Sequence, residues 1–154
     1  MINTKNSSTK DWVWLFGAIA VTVLFIVFSE PIICALYMGT DLFAESMYNF
    51  NLYFTVSIFI SLTVWVFAIL YYWVIDRVKL SSFVAWALFC VFAVGVSGAV
   101  TYFYPMSVFY SENLEFITDI PLLAIVSLPI SLVLYIIVSL GAKGLSTNCS
   151  TRPF

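Results

Sequence analysis

Glu30 is the residue at which chemistry is first sought, because it stands between two apolar runs, residues 12–28 and 32–38. A carboxylate so placed can take up a proton, hold a cation or pair with a base. No lysine or arginine occurs between Asp11 and Ile75, so its partner would be a proton, a cation, the Ser29 hydroxyl or a base from another protein. Depth argues for a milder role. Eighteen residues beyond Trp12, a helix rising about 1.5 Å per residue places Glu30 roughly 27 Å along, near the edge of a hydrocarbon layer about 30 Å thick. There a carboxylate stays hydrated, and a boundary residue is the expected reading, with coupling or gating as the alternative. Pro31 follows and predicts a kink at 30–31, since proline lacks an N–H and crowds the preceding turn.

Two other polar groupings invite the same question. Glu112, Glu115 and Asp119 are spaced by three and four. That suits one solvated face of a short helix, or an acidic vestibule if the chain oligomerises. Ser127 and Ser131 continue a small-residue face with Ala124 and Ser139. These hydroxyls would line a narrow pore or, more commonly, bond between helices. No catalytic arrangement is legible. Histidine is absent, which rules out imidazole-ligated metals or haem and a serine–histidine triad. Cys34, Cys90 and Cys149 lack metal-ligand spacing and read as free thiols. No enzyme, cofactor or metal is expected.

The elements that must position these residues are set by hydrophobicity. The chain is 63% hydrophobic and 9% charged with a mean hydropathy of +1.07, against about 25% charged residues in soluble domains. Its solvent is lipid for most of its length. The expected architecture is an all-α integral membrane protein of one domain, residues 1–154. Its four transmembrane helices form two hairpins, at about 12–38 with the kink at 30–31, 52–75, 83–104 and 120–141. Aromatic residues are expected to belt the ends: Tyr53 and Phe54 at one end of the second span, Tyr71, Tyr72 and Trp73 at the other, and Trp86 at the start of the third. Residues 39–51 and 105–119 are read as loops, the second dipping Leu114, Phe116 and Ile117 toward lipid. Thr118 or Asp119 is expected to cap the fourth span, and Pro129 to kink it.

Orientation follows from the bases. Lys5 and Lys10 precede the first span, Arg77 and Lys79 join the second and third, and Lys143 and Arg152 follow the fourth. All six fall on one side, so the positive-inside rule makes both termini cytoplasmic. Scattered in three short segments, they offer no nucleic-acid surface.

The centre of the third span holds Ala93, Gly95, Ser97 and Ala99, in two small-xxx-small pairs, Ala93/Ser97 and Gly95/Ala99. Such faces let backbones approach where lipid provides no hydrophobic drive between helices. The contact is either with a helix of the same chain or with a partner subunit. Four spans with both ends inside is the layout of tetraspanins and claudins, but their cysteine-bearing outer loops are missing, as are the cysteine pairs of quinone-coupled disulfide generators. The expected function is therefore that of a non-catalytic subunit of a larger membrane complex of secretion, conjugation or respiratory type, in a bacterial inner membrane. Its partners would be the lipid bilayer and other membrane subunits or further copies of itself. The alternatives are a small homo-oligomeric channel or carrier using Glu30 and the span-four hydroxyls, and a protective protein like the small four-helix bacteriocin-immunity proteins.

Overall fold

A computed structural model describes residues 9–75, 82–109, 116 and 118–143. The charged segment 76–79, Lys5, Glu112, Glu115, Leu114, Ile117, Cys149 and Arg152 lie outside the described residues. Among the described residues six α-helices are present: α1 (Thr9–Val27), α2 (Ser29–Leu36), α3 (Asp41–Asn49), α4 (Leu52–Ile69), α5 (Phe83–Val108) and α6 (Asp119–Ala142). A π-helical segment, Leu70–Ile75, prolongs α4. Among the described residues three elements, Leu52–Trp73, Phe83–Val108 and Asp119–Ala142, are each long and apolar enough to cross a membrane, or up to four if the bent pair α1–α2 is one span.

The helices form because their sequences are strong apolar runs punctuated where the chain must turn. Thr40 caps α3 by accepting from the Phe43 N–H, and Ser82 caps α5 by accepting from the Ala85 N–H. Asn51, with φ at 55°, makes the left-handed turn between α3 and α4. The break at Phe28 is where Pro31 leaves the Val27 carbonyl without its usual donor. The bend is 73°, so α2 runs across α1 rather than prolonging it.

Packing is organised around α6, which lies against α1, α4 and α5. It lies close to α1 at Gly141, where an added Cβ would come within 2.5 Å of the Ala18 Cβ and 3.0 Å of the Trp14 carbonyl oxygen. The start of α1 and the end of α6 therefore share one end of the bundle, here the proximal end. Val64, Ala68, Tyr71, Trp86, Tyr135 and Val138 fill the core toward that end. A second cluster, centred on Phe43, fills the distal end.

Several expectations are corrected. The aromatic residues read as membrane belts are largely internal: Tyr53, Tyr71, Tyr72 and Trp86 are all buried, whereas Phe54 and Trp73 are exposed. They have polar work inside the bundle; the Trp86 indole donates to Ser139 Oγ at 3.2 Å, and Tyr71 donates its hydroxyl to the Ser82 carbonyl. Residues 39–51 are not a simple loop but carry α3, whose Phe43 and Met47 are fully buried. The third helix extends through Pro105 to Val108. Phe116 is buried against Phe43 and Phe109 rather than dipped toward lipid.

Candidate functional site

The distal end carries the most concentrated polar geometry among the described residues. Asp119, in the first turn of α6, is buried, and its carboxylate accepts three hydrogen bonds. Tyr37 Oη donates at 2.5 Å, the Thr40 backbone N–H at 2.9 Å and Thr40 Oγ1 at 3.1 Å. The helix N-terminus adds its own favourable potential for the negative charge. This closes a clasp between the chain leaving α2 and the start of α6, residues 79 to 82 positions apart. Gly39 makes it possible: a Cβ there would collide with the Tyr37 hydroxyl and come within 2.5 Å of Asp119 Oδ1. Burial, then the hydrogen bond and charge of Asp119, push the Tyr37 hydroxyl well above the usual tyrosine range, so it stays a neutral donor.

The clasp seats α3. Phe43 touches Tyr37, Phe109 and Phe116 with ring centroids 5.2–5.7 Å apart, so one residue joins the α2–α3 connection to the segments flanking the gap between α5 and α6. With its oxygens engaged, Asp119 acts as a structural acceptor. It is neither on a solvated helix face nor capping α6: the Thr118 side chain makes no capping bond and Asp119 turns to Tyr37 and Thr40. Sequence reasoning grouped it with Glu112 and Glu115 by spacing. The signal that it differed was its place beside Ile120 and Pro121, already inside the apolar run.

Glu30 is exposed, and Pro31 beside it is exposed. On α2 the residues facing inward are Ser29 and Ile33. Phe28, Ile32 and Leu36 line a groove, described below. Glu30 lies two residues from Ile32, about 200° around a helix of 3.6 residues per turn, and so on the far side of α2 from that groove.

The small-residue segment of α5 divides. Ala93 and Ser97 are fully buried, joined by Gly98 and Thr101, and pack inside this chain. Gly95 and Ala99 are exposed, and a Cβ on Gly95 would meet nothing within 4 Å. The span-four hydroxyls are buried and bonded to their own helix: Ser127 Oγ donates to the Ala124 carbonyl and Ser131 Oγ to the Ser127 carbonyl, both at 2.7 Å. Neither makes the bond between helices that was expected. Ser139 does, through Trp86, and Thr22 accepts from the Trp65 indole at 3.1 Å between α1 and α4.

Between α1, α2 and α6 lies an almost wholly apolar groove of about 570 Å³. Its walls include Leu24 and Phe28, Ile32 and Leu36, and Pro129 and Val133. Among the described residues no group of three histidine, cysteine, aspartate or glutamate side chains comes together to hold a metal. Cys34 is exposed and Cys90 buried, both as free thiols. Comparison with family models, curated protein sequences and solved structures finds no match to this chain.

Proposed function

We propose that this protein is a non-catalytic subunit of a larger membrane assembly, joined to its neighbours by helix packing within the bilayer. The observation that carries this reading is the outward face of α5. Gly95 and Ala99 are exposed, a Cβ on Gly95 would meet nothing within 4 Å, and Val96, Ala99, Val100, Phe103 and Tyr104 line a shallow depression of about 340 Å³. Phe103 is exposed, as is Phe92, about one turn before Val96 on the same helix. A smooth recess flanked by large rings matches the close-approach surfaces that hold membrane helices together by dispersion. The opposite side of the same helix, Ala93 and Ser97, already serves that purpose internally.

The channel reading receives less support. Ser127 and Ser131 direct their hydroxyls to their own backbone inside the bundle, and Glu30 lies on the exposed side of α2. The orientation proposed is both termini in the cytoplasm, from the distribution of the six bases, and the compartment proposed is a bacterial inner membrane.

The test is purification from native membranes in mild detergent, with co-eluting proteins identified by mass. Gly95→Leu and Ala99→Leu are expected to strip partner subunits while leaving the melting temperature of the isolated chain unchanged. Val84→Leu, on an exposed part of α5 away from the recess, retains them. A homo-oligomer with no other subunit would overturn the proposal in favour of the channel or carrier.

A further inference from the structure

We draw no further inference here: the strongest candidate, the apolar groove between α1, α2 and α6, carries nothing because nothing in the structure shows what covers it.

Discussion

Replacing Asp119 by alanine tests whether the distal clasp holds the end of the bundle together. Three hydrogen bonds to one charged acceptor, at about 1.5–3 kcal/mol each, set an upper bound of about 4.5–9 kcal/mol. Two features lower it. Thr40 is exposed and Tyr37 only half-buried, so their donors regain water when the carboxylate is removed. The three bonds also share one acceptor and do not add. The expected loss is therefore about 2–4 kcal/mol, above the usual effect of a point substitution. Tyr37→Phe, removing one donor, is expected to cost about 1–2 kcal/mol. Gly39→Ala should resemble Asp119→Ala, because its methyl group displaces the Tyr37 hydroxyl from the carboxylate. The assay is thermal unfolding of the detergent-purified chain, paired with amide exchange of residues 37–49. Exchange there should rise in all three variants while the α4–α5–α6 core stays protected. An Asp119→Ala protein melting within about 0.5 kcal/mol of wild type, with α3 still protected, would refute the claim that the clasp seats α3.

The remaining expectations are more compact. Gly141→Val should destabilise the contact of α1 with α6 by about 1–3 kcal/mol or more, because the nearest obstacle includes the rigid Trp14 backbone; unchanged melting would remove the close-approach argument. Ser97→Ala should be neutral or stabilising: the Ser97 hydroxyl is buried without a hydrogen-bond partner among the described residues, and such a group costs about 1–3 kcal/mol. Ser97→Leu should disrupt the bundle, and the contrast is read by size-exclusion after heating. Glu30→Gln should change stability by less than about 0.5 kcal/mol, as for other exposed positions, and leave complex assembly intact across pH; loss of assembly or transport would restore a coupling role. Tyr37 keeps its proton above its ordinary value of 10.0, whereas an unfolded tyrosine loses it there. The Tyr37 contribution is thus full below pH 10.0 and declines as pH rises further. The stability difference between wild type and Tyr37→Phe, measured by alkaline titration of unfolding, should shrink in that direction.

Hydrophobicity along the chain was sufficient for the class of fold, because in lipid a long apolar run must satisfy its backbone within itself and so becomes a helix. The same reasoning expected a kink at 30–31; the break stands at Phe28, because the N–H missing from Pro31 is the one the Val27 carbonyl would have accepted. It put Glu30 near the edge of the hydrocarbon layer for a reason of length alone. What it did not reach depends on which side of each helix meets which neighbour. In a bilayer that side is weakly encoded, since residues facing lipid and residues facing the core are equally apolar; Leu24 and Phe25 are adjacent and alike, yet Leu24 is exposed and Phe25 is buried. Tyr71, Tyr72 and Trp86 were therefore misread as belt residues, because an amphipathic ring suits the interface and the bundle interior equally well. Gly95 and Ser97 are two residues apart and face opposite ways, a distinction that only the packing of α5 on α4 and α6 supplies. Asp119 is the clearest case. Its spacing from Glu115 described a solvated helix, but a carboxylate is defined by its donors, and Tyr37 and Thr40 come to it only after α1 and α2 have folded back against α6.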